Sequence, residues 1–247
     1  MIYFVLIALV FYVTMQFVET VSFGSRLAGK LVNRLSLGTT LQHSIYVTSR
    51  LFLPPLLLSL SYLIESGLNI EFFLITSVIL VSSAFITSML VLIKFNFFQL
   101  LFQHIFELYD KYGNLPIAIL KVILGEKINK TKKINIESSP KIFTLSWKKI
   151  MYAAFAYFFL STGFLISFSF AILIPEYRMT VSQLTTVFHG IGAIILAMYI
   201  DPMICDSLDS GKNDDKWLNN IYSIFIGRLL AYLLAFTIFL CVYFFVS

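Results

Sequence analysis

Four arginines and two acids stand in or beside stretches that are otherwise apolar. Glu19 and Arg26 fall in FVETVSFGSRLAGK (residues 17–30), directly after an almost purely apolar start. On a continuous helix they share one face, two turns apart. Thr39, His43, Tyr46 and Arg50 follow at spacings of four, three and four, a polar stripe on a second helix. Asp201 and Arg228 repeat the theme near the C-terminus, and Arg34 lies between the first two helical segments. A guanidinium presents a planar fork of donors that grips phosphate or carboxylate through parallel hydrogen bonds. A charge at the bilayer centre costs about 2.5–3.5 kcal/mol even on the lenient insertion scale, so such residues face a partner or a wet cavity. The chemistry on offer is anion binding.

Bond-making chemistry is not indicated. HExxH, a glycine-rich phosphate loop and CxxC are absent. His43, His104 and His189 lie in separate segments with no carboxylate cluster beside them. Cys205 and Cys241 have no metal-ligand spacing and fall near opposite ends of the last two helical segments, which argues against a disulfide. The reading is therefore not an enzyme, with no catalytic residue, no metal and no cofactor. His189, beside Gly190 and Gly192, reads as a helix-packing residue, with the glycines permitting close helix approach.

The elements that must hold these residues follow from composition. Of 247 residues, 59% are hydrophobic and 13% charged, against about 25% charged in a soluble domain. The fold class is all-α: a polytopic membrane protein, read as a single transmembrane domain over 1–247. Six segments reach the length of a bilayer helix of about 20 residues: 1–22, 37–63, 72–94, 150–174, 182–204 and 220–246. The first lacks a basic region before it and a small-residue cleavage site after it, so it reads as a retained helix.

The loops alternate in charge. Arg26, Lys30 and Arg34 mark the first, Glu65 and Glu71 the second, and nine lysines from Lys111 to Lys149 the third. Glu176 and Arg178 mark the fourth, and Lys212 and Lys216 stand among aspartates in the fifth. Basic loops stay inside, so both termini are expected outside. The partners this implies are membrane lipids, not nucleic acid.

Residues 96–149 carry a second feature. Asn96, Gln99, Gln103, Glu107 and Asp110 form a helical stripe opposite Phe97, Leu101, Ile105 and Leu108. That pattern predicts an amphipathic helix lying in the cytoplasmic interface. EKINKTKKINIESSPK (126–141) reads as a lysine-rich loop facing anionic lipid.

Pro54 and Pro55 come one turn after Arg50 and remove two backbone donors, so the second segment is expected to kink or open there. A broken helix beside a buried arginine suits a transport site. The same residues also suit a structural Arg50–Glu19 pair that locks two helices. SIYVTSRL (44–51) and SIFIGRL (223–229) suggest a parallel repeat about an axis along the membrane normal.

Taken together, ETVSFGSRLAGK, SLGTTLQHSIYVTSRL and IDPMICDSLDSGK…IFIGRLLAYLLA resemble the Amj-type lipid II flippases, the alternates to the MurJ flippase. Glu19, Thr20, Phe23, Arg26, Ala28 and Gly29 match the first block of that family. Ser49 and Arg50 match its second helix, and Ile200 to Pro202, Gly211, Lys212, Gly227 and Arg228 its C-terminal part. Gly227 stands where the family pattern has serine.

The resemblance implies a multi-pass protein of the bacterial cytoplasmic membrane that moves lipid II, an undecaprenyl pyrophosphate bearing a disaccharide and a peptide, to the outer leaflet. It leaves room for a homo-oligomer. Arg26, Arg34, Arg50 and Arg228 would then bind the lipid pyrophosphate. Glu19 and Asp201 would hold the arginines in the empty state, with His43 and Lys212 completing the charge balance. A carrier for a small anionic solute and a non-transporting envelope scaffold are the alternatives.

Overall fold

In hydrocarbon a backbone must satisfy its own hydrogen bonds, and a helix does so within one segment. The computed structural model, which describes residues 1–126, 145–209 and 214–246, has only helical regular structure among those residues. In chain order the helices are α1 (Ile2–Leu31), α2 (Leu35–Ser49), α3 (Leu53–Glu65), α4 (Ile70–Ile93), α5 (Phe95–Tyr112) and α6 (Leu115–Ile123). Then come α7 (Trp147–Leu173), α8 (Arg178–Ser182), α9 (Leu184–Ile195), α10 (Asp201–Asp209) and α11 (Asp214–Val246). Six stretches are long and apolar enough to span: Ile2–Leu31, Leu35–Glu65, Ile70–Ile93, Trp147–Leu173, Pro175–Asp206 and Trp217–Val246.

The first helix departs most from the sequence reading. It was expected to end near residue 22 but runs to Leu31, so Glu19 and Arg26 lie within its body. Small residues let it continue through a crowded region: Ser22, Gly24, Ser25, Ala28 and Gly29 are all buried. The Ser22 and Ser25 hydroxyls donate to the carbonyls of Glu19 and Ser22, both at 2.7 Å.

The chain divides into two compact units. Unit one comprises Met1–Gln16, Phe52–Met89 and Pro140–Ser247; unit two comprises Phe17–Leu51 and Leu90–Ser139. In unit one, Tyr12, Met15, Leu56, Leu60, Phe73, Phe164 and Tyr232 belong to a continuous buried core. Tyr12 donates its hydroxyl to the carbonyl of Ser161 on α7. Of the two glycines beside His189, only Gly192 permits a close approach. A Cβ there would lie 2.8 Å from the Ala156 carbonyl oxygen, whereas one on Gly190 would meet nothing within 4 Å.

Unit two is built on the α1–α2 hairpin with α5 and α6, around Ala28, Leu41, Phe102, Ile105, Phe106, Leu108 and Ala118. Gly29 and Gly38 put two backbones in contact. A Cβ on Gly29 would fall 2.8 Å from the Gly38 Cα, and one on Gly38 would fall 2.7 Å from the Ser25 carbonyl oxygen. Ser25 donates across the same contact to the Gly38 carbonyl at 3.0 Å.

The amphipathic helix is present as α5, but its polar stripe is not a solvated face. Gln99 and Gln103 are buried, while Asn96 and Asp110 are exposed. Burial pushes the Glu107 carboxyl above its ordinary range. A left-handed Gly113 ends α5, and Asn114 caps α6 by accepting from the Ile117 N–H. Glu126 then ties α6 back to α5. Its carboxylate accepts from Lys111 at 2.7 Å, Tyr112 at 2.7 Å and Lys121 at 3.2 Å, and its carbonyl lies 2.9 Å from His104 Nε2. The Lys111 ammonium and Tyr112 hydroxyl hold this carboxyl down at about 2. The rest of the lysine-rich loop, Lys127 to Lys141, lies outside the described residues.

Two outcomes follow from unit two. Gly38→Ala should cost about 1–3 kcal/mol, as overpacking does, while Gly190→Ala should cost nothing; thermal unfolding of both variants in detergent compares them. The depressed Glu126 carboxyl gives stability that is complete above its unfolded value of about 4.3 and is lost as pH falls toward about 2. The exchange protection factors of α6, taken relative to the intrinsic amide rate at each pH, should therefore fall through that window, and in Glu126→Gln they should be low and constant over the same range.

Candidate functional site

Arg50 stands midway along the second span, where the helix breaks. α2 ends at Ser49, residues Arg50–Phe52 form a 3-10 turn, and α3 restarts at Leu53 with Pro54 and Pro55 in its first turn. Proline fits a first helical turn because those N–H groups have no intrahelical acceptor. The break expected from the two prolines is thus present, on the N-terminal side of the pair. It sets Arg50 at the C-terminus of α2, where the partial negative charge of the helix end favours a cation.

Glu19 of α1 faces this end. Its Oε1 lies 3.5 Å from Arg50 Nη2 and accepts from the Ser49 hydroxyl at 3.2 Å. The Arg50 guanidinium also stacks over the Tyr46 ring, 4.5 Å from its centroid, and donates to the Tyr46 hydroxyl. Exposure is unequal: Glu19 is 4% exposed and the Arg50 side chain 25%. The carboxylate is buried beside the guanidinium, and the Ser49 hydroxyl lies between its Oε1 at 3.2 Å and the Tyr46 carbonyl at 2.7 Å. The guanidinium has one flank stacked on an aromatic ring and another open to the surroundings. Such a guanidinium has a face that a second anionic group can approach.

Arg228 sits in unit one and is enclosed, 1% exposed. Nη2 donates to Gln16 Oε1 at 2.6 Å, Nε donates to the Tyr232 hydroxyl at 2.9 Å, and the guanidinium lies 4.8 Å from the centre of the Tyr157 ring. Tyr232 in turn donates to Gln16 Oε1 at 2.6 Å. α11 runs unbroken through Arg228, unlike the second span at Arg50. The local geometry of the two similar strings therefore differs. Gly227 explains its own departure from the family pattern: a Cβ there would fall 2.5 Å from both the Ile150 carbonyl oxygen and the Ala153 methyl, leaving no room for serine.

The remaining sequence candidates differ in their surroundings. Arg26 is buried within α1. Arg34 precedes α2 and pairs at 3.0 Å with Asp110, both more than half exposed. His43 is exposed and makes no hydrogen bond or ion pair among the described residues, so the stripe of segment two splits: Tyr46 meets Arg50 and His43 does not. Asp201 opens α10 after a π-helical turn over Leu196–Ile200. Lys212 lies outside the described residues.

Sequence reasoning missed Gln16, Tyr157 and Tyr232 around Arg228, Ser49 as a donor to Glu19, and Asp110 as the partner of Arg34. Only Tyr232 carried a local signal, being one turn beyond Arg228.

Fold and site define a helical, multi-pass membrane protein with an arginine–carboxylate pair at a mid-span helix break. A family model described as Alternate to MurJ (Amj) matches residues 11–247, nearly the whole chain. The chain belongs to that family. No curated protein and no solved structure matches it.

The pair sets a stability test. Arg50→Gln removes one cation from a buried carboxylate and should cost roughly 1–3 kcal/mol, below the 3–5 kcal/mol of a fully buried pair because Arg50 is partly exposed. Adding Glu19→Gln should return at least about 1 kcal/mol of that loss. Strictly additive losses in a thermal-unfolding cycle would mean that the two side chains are not coupled.

Proposed function

We propose that this protein is a flippase that carries lipid II from the inner to the outer leaflet of the bacterial cytoplasmic membrane, with both termini outside. Membership of the Amj family and six membrane-length apolar spans support the class. The observation that carries the substrate is the Glu19–Arg50 pair at the helix break.

In the empty protein Glu19 and Tyr46 hold Arg50 in place. An arriving pyrophosphate competes with Glu19 for the guanidinium and offers it two oxygens at once. Glu19 stays buried when Arg50 turns to the substrate, so the exchange gives up part of the pair energy, which the second pyrophosphate oxygen on the guanidinium offsets. The polyprenyl tail remains in lipid throughout. Arg34, more than half exposed and paired with Asp110, is a first electrostatic contact at the membrane surface. Arg228, enclosed by Gln16 and two tyrosines, organises the helices and touches substrate only if that cage opens. The chain catalyses no bond change in this scheme.

The test is vesicle flipping of lipid II together with rescue of cells depleted of their other lipid II flippase. Arg50→Ala should insert at normal levels, because removing a charge lowers insertion cost, yet lose flipping by tenfold or more. Arg50→Lys should recover little, since lysine lacks the planar fork. A fully active Arg50→Ala would remove the pyrophosphate site from this position. Lipid II should also raise the unfolding temperature of wild type, where the isolated soluble head group raises it far less. Equal shifts would favour a small-anion carrier, and no shift a scaffold.

A further inference from the structure

Unit one contains a cavity of about 320 Å³ where α3 and α7 end. Its walls include Ser61, Glu65, Phe168, Arg178, Ser182 and Gln183. Arg178 is anchored by a long hydrogen bond from Nη1 to the Ile64 carbonyl, 3.4 Å, in the last turn of α3. Its Nε is buried and has no hydrogen-bond partner. A buried donor on a charged group is costly to leave unmet, and such a group calls for an acceptor from outside the chain. Glu65, the other charged residue of the wall, is exposed and makes no ion pair with Arg178 among the described residues. The cavity therefore keeps a positive and a negative group apart.

That separation selects the ligand. A simple anion would satisfy Arg178 but meet the Glu65 carboxylate. A molecule carrying an anionic oxygen and an ammonium satisfies both. The surroundings select its source. Leu173, Ile174, Tyr177 and Met179, around the same helix ends, are 57%, 43%, 61% and 83% exposed. Exposed aliphatic residues with a tyrosine at the ends of spanning helices mark a membrane boundary. The volume suits a head group, not a whole lipid.

We propose that this cavity binds the head group of a zwitterionic phospholipid with a primary ammonium, of the phosphatidylethanolamine class. Its phosphate is held by Arg178 and its ammonium by Glu65. Ser61 and the Gln183 amide supply neutral donors to the remaining phosphate oxygens. The site is separate from the Glu19–Arg50 pair and does not depend on the transport reading.

The experiment is thermal unfolding of the full-length protein in phosphatidylcholine nanodiscs, with phosphatidylethanolamine or phosphatidylglycerol replacing part of the lipid. Wild type should gain several degrees with phosphatidylethanolamine, at a mole fraction about tenfold below that needed for any gain with phosphatidylglycerol, the discrimination expected of one well-placed charged contact. Arg178→Gln should abolish the gain. Glu65→Gln alters an exposed side chain and should keep the starting stability, yet lose the preference for phosphatidylethanolamine over both other lipids; it carries the test if Arg178→Gln fails to fold. Equal responses to the three lipids in wild type, or a preference unchanged in Glu65→Gln, would overturn the proposal. So would a gain of the same size from soluble glycerophosphoethanolamine, which would make the cavity a site for a free zwitterion instead.

Discussion

The cost of a charge in hydrocarbon organises this protein. A guanidinium in the middle of a span must be met by an acceptor on another helix, and that requirement fixes which helices can be neighbours. Glu19 meets Arg50, and Gln16 with Tyr232 meets Arg228. α1 thus supplies an acceptor to each of two arginines from distant parts of the chain. The two solutions differ in kind. One uses a formal counter-charge, the other a neutral amide, a phenol and an aromatic face. Neutral acceptors and ring faces hold a cation without the desolvation that a second buried ion adds.

Glycine and serine then let the backbones approach closely enough for such contacts to close. In the α1–α2 hairpin the Gly29–Gly38 contact and the Ser25 bond to the Gly38 carbonyl fix how the two helices leave the turn. That geometry carries Ser49 and Arg50 up to Glu19. Between helices in lipid, packing and polar complementarity carry much of the driving force. A bulkier side chain at the hairpin would therefore be felt at the pair, several turns away, through displacement of α2 as a rigid rod.

How much of this was legible in the sequence depends on the range of the signal. Six spans were readable because apolar length is a local property. The break after Arg50 was readable because proline acts on its own helix. The pairing of Glu19 with Arg50 was readable because buried charges need partners and few were available. The length of α1 was not. Its last two turns are polar, and their burial depends on α2 and α5, which no local pattern announces. The buried Gln99 and Gln103 of α5 escaped for the same reason, since an amphipathic pattern states which residues share a face and not what covers it. Gln16 and Tyr157 escaped because neither carries a charge that would demand a partner.

Most positions that carry the family resemblance are buried. Glu19, Thr20, Phe23, Arg26, Ala28, Ser49, Ile200 and Arg228 are each at most 5% exposed. Residues so placed are constrained by packing whether or not they meet a substrate, so their presence supports the fold more directly than the activity. Arg50 differs from them, with a quarter of its side chain open and a counter-ion 3.5 Å away. A cation in that state has a face that a new partner can approach before the old one is released. The caged Arg228 would have to give up a phenol, an amide and a ring together. The asymmetry between two arginines in similar local sequences therefore separates a partly open guanidinium, to which the proposed function assigns the pyrophosphate, from one enclosed among Gln16, Tyr157 and Tyr232.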